Sequence, residues 1–320
     1  MTASLVTIGL TTFNAGQSVE RAVLSALAQT WRPIEIVAVD DCSTDDTRTI
    51  LDVLAAQHPE MRVFSNPVNS GVAVSRNRIL TEAHGEFITF FDDDDESLPE
   101  RITAQVKRIQ DYERIFAGGA YVICHTARHI IYPSGAETIE PTMGQSEGCP
   151  APSGEAVAQR ILMGTPLEDG YGACPTCSQT ARLSIYHALG GFDPALRRSE
   201  DTDFNIRLAK AGGHFVGIGQ PLVIQRMTRT PEKSLAEEYG NMLRLIEKRR
   251  AVMELAGQFA FCRRWIEAKQ AFLEGRHAVF GLSMAALALT HPVLTARRFT
   301  LALHNTGLNR RFSRFYRERS

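Results

Sequence analysis

Residues 87–99 read FITFFDDDDESLP: an apolar run that ends in four adjacent aspartates, Asp92, Asp93, Asp94 and Asp95, with no basic residue beside them. Phe87–Phe91 has the aromatic, apolar character of a buried strand. Carboxylates crowded at its end raise one another's pKa and destabilise the fold, so the stretch calls for a cation, a phosphate-bound metal or full exposure to water. An EF-hand loop starting at Asp92 is excluded, because its sixth and twelfth positions require Gly and Glu and are Ser97 and Thr103. A solvated acidic turn and a metal-bearing phosphate site both stay open on these residues alone.

The flanking sequence supplies the fold. Leu5–Leu10 is β-rich and ends in TTFNAG, a turn signal; Val19–Gln29 then has apolar residues at helical spacing, Val19, Ala22, Val23, Ala26 and Leu27. Ile34–Val39 is a second strand that stops at Asp40 and Asp41. Ser43 or Thr44 is expected to cap a helix running to His58, RVFSN is a short third strand, and Val72–Ala83 a third helix. Strand and helix alternate, which predicts an α/β half with a largely parallel sheet. Ligands of such sheets sit beyond the carboxyl ends of the strands. Thr11 to Asn14, Asp40 with Asp41, and the four aspartates should therefore gather at one edge.

At 320 residues, with 44% hydrophobic and 22% charged, the chain has ordinary globular composition, which argues against disorder. Its net charge of −1 conceals an asymmetry: residues 241–320 carry 15 basic and 5 acidic side chains, a balance of +10, which leaves −11 before them. The start, MTASLVTIGL, lacks signal-peptide character, and the longest apolar-rich run, Ala278–Leu289, is 12 residues, short of the roughly 20 that span a bilayer. A cytoplasmic protein is expected, with a peripheral place on the inner face of a membrane as the further expectation. Six scattered cysteines suit reduced thiols better than a disulfide framework. Cys174 and Cys177, in CPTC, could be half of a zinc site, but no second CxxC exists and small packed side chains are the preferred reading.

The ordered set VTIGLTTFNAGQSVERAVLSALAQTWRPIEIVAVDDCSTDDT, NSGVAVSRN, GEFITFFDDDDESLPERI and LGGFDPALRRSEDTDFNIRLAKAG resembles the motifs of family 2 glycosyltransferases with the GT-A fold, over about residues 4–225. The resemblance implies a Rossmann-like, largely parallel sheet flanked by helices, followed by a helical extension. It implies an inverting transferase that moves a sugar from a nucleotide-diphosphate donor, with a UDP-sugar expected. The acceptor would be a hydroxyl of a cell-surface glycan or of a lipid-linked or protein-linked precursor. Thr11, Phe13 and Asn14 would line the nucleotide pocket, Asp41 would accept a hydrogen bond from the base, and Arg76 would lie near the nucleotide. Asp92 to Asp94 occupy the DxD position: Asp94, with Asp92, would hold a divalent cation, Mn or Mg, on the diphosphate, and Asp93 would help hold the donor. Asp201 would be the general base, with Glu200 orienting the acceptor or an adjacent loop. Where many relatives have a His after the last strand, this chain has Arg226, Met227, Thr228 and Arg229, so Arg226 or Arg229 could share phosphate neutralisation.

Two other readings remain beside this one, a sugar-nucleotide pyrophosphorylase and a non-catalytic nucleotide-sugar-binding assembly protein. The first would need a Gly-rich phosphate loop after the first strand, and TTFNAG is not one. Residues 117–170 lack clear periodicity. The expected layout is a catalytic part over 1–230, with a nucleotide-sugar half to about 115 and an acceptor half over 116–230, and a helical basic region over 231–320. Gly190 and Gly191 read as a turn that leads Phe192 into the core. The end, NRRFSRFYRERS, interleaves basic and aromatic residues, and either a membrane surface or a partner protein would suit it.

Overall fold

Every residue of the second strand, β2 (Ile34–Asp40), is buried, and the first, β1 (Val6–Thr12), is buried at all but one position. Strands covered on both faces read as continuous apolar runs, and that is what IEIVAV and LVTIGL are. A computed structural model of the chain describes residues 3–228 and 235–304. The expectations placed on Arg229 and on the basic, aromatic end fall outside the described residues. The chain divides into two units, Met1–Glu155 with Glu168–Thr228, and Ala156–Leu167 with Arg229–Ser320. The sequence reading gives Ala156–Leu167 to the catalytic part, whereas in the structure it groups with the C-terminal helices.

In the first unit, α1 (Val19–Leu27) follows β1, and after β2 come α2 (Thr47–Gln57), β3 (Met61–Ser65), α3 (Val72–Glu82) and β4 (Phe87–Asp92). These strands pair in parallel in the order β3-β2-β1-β4. The register sets Thr12 opposite Asp40 and Thr11 opposite Asp92, so the ends of the three central strands lie level with one another. Gly9 lets α3 close onto this sheet: a Cβ there would stand 2.7 Å from the Ile79 side chain. That approach also sets the position of Arg76, one turn earlier on the helix.

Beyond β4 the sheet is mixed. The chain continues through β5 (Glu96–Ser97), α4 (Arg101–Tyr112), a π turn over Glu113–Ala117, β6 (Val122–Ile131), β7 (Glu137–Glu140), α5 (Gly154–Met163), β8 (Gln179–Arg182), α6 (Leu183–Ala188), α7 (Glu200–Lys210) and β9 (His214–Arg226). β8 lies antiparallel between β4 and β6, β9 runs parallel to β6, and β7 pairs with β6. The sheet of the described residues thus runs β3-β2-β1-β4-β8-β6-β9-β5, wholly parallel in its first half and mixed in its second. Residues 117–170, irregular by sequence, contain the long strand β6. It is buried almost throughout and carries polar side chains inward, including His125 and Arg128, which broke its apolar pattern.

An aromatic cluster holds α7 in place. Tyr186 stacks on Phe204 at 4.5 Å between ring centres, and Phe90 meets Tyr186 and Phe192 edge-on at 5.5 and 5.6 Å. Gly190 and Gly191 both take positive φ, and the turn they form delivers Phe192 to this cluster. Asn77 on α3 then locks it: its Nδ2 donates to the Phe192 carbonyl at 2.7 Å and its Oδ1 accepts from the Phe192 N–H at 2.8 Å.

The second unit holds α8 (Leu235–Lys248), α9 (Arg250–Leu255), α10 (Phe259–Leu273), α11 (His277–Thr290) and α12 (Pro292–His304). Pro292 ends the α11 run and opens α12, where a missing N–H costs nothing. Arg298 turns inward in this unit, donating to the Leu162 carbonyl at 3.3 Å and lying over the Trp265 ring at 5.5 Å.

Truncating Asn77 to Ala removes both locks on Phe192 and leaves its backbone groups unpaired. Urea unfolding of Asn77→Ala should show a loss of about 1–3 kcal/mol; a loss below about 0.5 kcal/mol would show that the Phe192 turn is held by packing alone.

Candidate active site

The four aspartates do not share one environment. Asp92 closes β4, and the Asp95 N–H donates to the Asp92 carbonyl at 3.3 Å, folding Asp93 and Asp94 into a tight turn. Asp93 accepts from the Phe13 N–H at 3.0 Å, which ties the turn to the loop after β1. Asp94 accepts from the Thr228 hydroxyl at 2.6 Å. Asp95 is buried: one oxygen accepts from the Arg226 N–H at 3.2 Å, the other has no hydrogen-bond partner, and burial with Asp92 and Asp94 beside it drives its carboxyl well above the usual range. Three carboxylates are thus partly exposed at the sheet edge and one lies beneath them.

Cations absent from the neighbouring sequence arrive through space. Arg76 places Nη2 3.2 Å from Asp92 Oδ1. Arg21 donates to the Asp94 carbonyl at 3.3 Å. Arg101, fully buried, donates to Thr89, Ser97, Gln105 and the Phe90 carbonyl at 2.8–3.1 Å and fastens β4 to the segment that follows; burial brings it down to about 10.

Hard oxygen donors that are partly exposed suit Mg²⁺ or Mn²⁺, which take one or two carboxylates and complete their shells with phosphate oxygens and water. Among the described residues, a group whose ligand atoms lie within 4.8 Å of one another is Asp92, Asp95 and Cys177, so Asp92 meets Asp95 there. The Cys177 thiol is held far above its ordinary value by burial and Cys174 is pushed up to about 12, so both are protonated thiols. Only Cys177 joins the group, and a zinc site on CPTC is not assembled among the described residues.

The loop after β1 settles the question of a backbone phosphate cradle. The N–H groups of Phe13, Asn14, Ala15 and Gly16 donate in turn to Asp93, Ser43, Thr47 and Asp45, at 2.7–3.0 Å. All four are spent within the protein. Asn14, at φ 50°, also accepts from the Thr44 N–H at 2.8 Å, so Ser43 and Thr44 brace this loop, and the N-cap position of α2 falls to Asp46 instead of either expected cap. Asp41 is buried and accepts from Asn66 Nδ2 at 2.7 Å and from the N–H groups of Ser70 and Gly71 at 3.0 and 2.7 Å. Two carboxylate oxygens offer about four acceptor positions, which leaves room for one further donor.

Arg76 joins this edge to the start of α7. It is buried, pairs with Glu200 through Nη1 as well as with Asp92, and lies 5.8 and 5.5 Å from the centres of the Phe90 and Phe192 rings. Burial opposes its charge, and Glu200, Asp92 and Asp201 outweigh it, holding the guanidinium above its ordinary pKa. Burial pushes Glu200 up to about 7, with Arg76 acting against and Asp201 adding to the rise. Asp201, half-buried in the first turn of α7, accepts from the Thr202 N–H at 2.6 Å.

At the end of β9, the Arg226 side chain turns to Glu96 at 2.8 Å and so is spent on an ion pair instead of the aspartate turn. Sequence reading named Thr228 without a role and missed Arg21 and the separate character of Asp95; the fourth aspartate in the row was the signal for the last.

A carboxyl with a folded pKa of about 7 and an unfolded value near 4.5 binds its proton more tightly in the native state, so its contribution is complete below about pH 4.5 and is lost as pH rises through about 7. Thermal unfolding between pH 4.5 and 8 should therefore show a falling component in the parent protein that Glu200→Gln removes. The same slope in both proteins would assign the titration to another group.

Residues 7–160 match the Glycosyl transferase family 2 sequence profile. Over 119 residues the chain is 33% identical to UDP-Glc:alpha-D-GlcNAc-diphosphoundecaprenol beta-1,3-glucosyltransferase WfaP of Escherichia coli, covering 37% of this chain and 47% of that protein. It spans half or less of the length of the curated relatives it matches. S. aureus TarS 1-349, solved with UDP-GlcNAc, superposes with a TM-score of 0.56 at 15% identity, over 98% of this chain and 89% of that one. The Pyrobaculum calidifontis mannosyltransferase PcManGT, solved with GDP-Man and Mn2+, gives 0.57 at 16% identity, over 98% and 84%. These likenesses identify residues 7–160 as a glycosyl transferase family 2 region, in a chain with a GT-A fold.

Proposed function

We propose that the protein is an inverting glycosyltransferase that moves a sugar from a nucleotide-diphosphate donor, a UDP-sugar first among them, to a hydroxyl of a cell-surface glycan or a lipid-linked or protein-linked precursor. The observation that carries this reading is the Arg76 bridge, which brings the acidic turn after β4 and the Glu200–Asp201 pair into one site. The base would be held by Phe13, Thr11, Asn14 and the remaining acceptor position of Asp41. A divalent cation, Mn or Mg, on Asp94 and Asp92 would neutralise the charge that develops on the diphosphate as it leaves. With the N–H groups of residues 13–16 already spent, the diphosphate depends on that cation and on side chains. This speaks against the pyrophosphorylase reading.

Asp201 is the candidate base. It is partly exposed, whereas Glu200 is buried and held by Arg76. An acceptor oxygen that loses its proton to Asp201 attacks the anomeric carbon from the face opposite the diphosphate, and one such displacement inverts the configuration. Glu200 and Arg76 act as positioning residues. The names of the similar proteins supply support for the donor and acceptor: WfaP uses UDP-Glc and a diphosphoundecaprenol acceptor, and TarS was solved with UDP-GlcNAc. PcManGT was solved with GDP-Man, so the base is a matter for measurement.

A thermal-shift series with UDP, GDP, dTDP and CDP, each with Mn²⁺ or Mg²⁺, should give the largest rise with UDP and metal together, since a ligand that binds only the folded state stabilises it by mass action. Asp94→Asn should abolish the metal-dependent part and leave the fold intact; an unchanged shift would remove Asp94 from the metal site. Asp201→Asn should keep donor binding and lose transfer by a factor on the order of 10² to 10⁴. If donor affinity collapses while turnover at saturation survives, the base lies elsewhere, with Glu200 next in line.

A further inference from the structure

Among the described residues no helix is long and apolar enough to cross a membrane. Yet α11, HAVFGLSMAALALT, carries no Asp, Glu, Lys or Arg along its 14 residues. A helix lying on a folded domain in water keeps polar side chains on its outer face. This one has two apolar stripes. Phe280 and Leu287, seven residues apart, mark the inner one: Phe280 meets Phe272 of α10 at 5.2 Å and Leu287 is fully buried. Leu282 and Leu289, also seven apart and about 200° round the helix from the first pair, are 75% and 85% exposed, with Val279 at 44% beside them. The apolar surface continues into α12 with Val293 at 60% and Phe299 at 45%.

The charge pattern around this surface says what it meets. From Gly275 to Arg317 the chain runs 43 residues without an Asp or a Glu, and its charged residues there are seven arginines: Arg276, Arg297, Arg298, Arg310, Arg311, Arg314 and Arg317. Arg298 is turned inward and Arg276 pairs with Glu274, whereas Arg297 is exposed; the last four lie beyond the described residues and count as sequence only. Arg297 is exposed on α12 between Val293 and Phe299, with no acid from Gly275 to Arg317 in the sequence to balance it, and a second copy would repeat that charge and repel. An anionic lipid surface satisfies both features at once, because it takes apolar side chains at the boundary of headgroups and acyl chains and attracts basic ones.

We infer that the outer face of α11, with the start of α12, seats in the surface of an anionic bilayer without spanning it. At 1.5 Å per residue the helix is about 21 Å long, too short for a hydrocarbon core of about 30 Å and long enough to lie in the plane of the interface. The inference deepens the reading of a lipid-linked acceptor, and it rests on that reading only for its purpose. Its test uses neither donor nor acceptor.

The full chain should co-sediment with vesicles of phosphatidylcholine containing phosphatidylglycerol, more weakly with phosphatidylcholine alone, and less as salt rises. The double variant Leu282→Asp, Leu289→Asp changes two exposed positions, so it should unfold at the parent's temperature and keep the UDP-dependent thermal shift. Its binding to anionic vesicles should fall about tenfold or more. Three results would overturn the inference: no binding of the parent to anionic vesicles at low salt, equal binding by the double variant, or a parent dimer in gel filtration that the double variant dissolves. Loss of vesicle binding with donor transfer to a soluble acceptor intact would count against the membrane surface alone; the reverse would count against the transferase reading alone.

Discussion

Arg76 stands between two acids that lie far apart in the sequence, Asp92 at the end of β4 and Glu200 at the start of α7. A buried guanidinium is costly to desolvate, and so is each carboxylate, but together they neutralise one another in a pocket walled by Phe90 and Phe192. The rest of the first unit depends on that arrangement. α3 must lie close on the sheet to deliver Arg76, which requires Gly9. The Gly190–Gly191 turn must deliver Phe192, which Asn77 then locks. With those contacts made, four adjacent aspartates become tolerable: one is paired with Arg76, two are at the exposed edge, and one is buried, where burial first and its acidic neighbours second raise its pKa.

The parallel half of the sheet was legible because its strands are short apolar runs that stop at turn residues, and its helices show a clear apolar spacing. Parallel register then carries Thr11, Asp40 and Asp92 to the same level, so the gathering of the carboxylates followed from the order of elements alone. The second half was not legible. β6 is buried while carrying Arg128 and His125 inward; burial with Arg101 and Arg128 nearby keeps His125 neutral, at about 3, and Arg128 is paired with Glu140 and Gln225. Such a strand has neither an alternating pattern nor an apolar run. β8 is four residues long, and its antiparallel place between β4 and β6 is set by partners distant in sequence. Arg76 was expected beside a nucleotide; its two acidic partners could not be read from VSRN. Arg226 offered a cation to the phosphates in the sequence and is paired with Glu96 in space.

The two units follow different chemistry. The first concentrates acids at one sheet edge and brings buried arginines to them. The second has arginines with almost no acids over its last stretch and an uncharged helix whose outer face is Leu, Val and Ala. A charge reading of the whole chain, near zero, hides both. Residues 1–240 carry −11 and residues 241–320 carry +10.

The central claim is that Asp92 and Glu200 are coupled through Arg76, and a double-mutant cycle on unfolding free energy measures it. Asp92→Asn and Glu200→Gln, singly and together, should be non-additive by about 0.5–3 kcal/mol in the parent. The coupling should vanish when the same cycle is run in an Arg76→Met background. Strict additivity in the parent, or coupling that survives the loss of Arg76, would contradict a site built on that bridge.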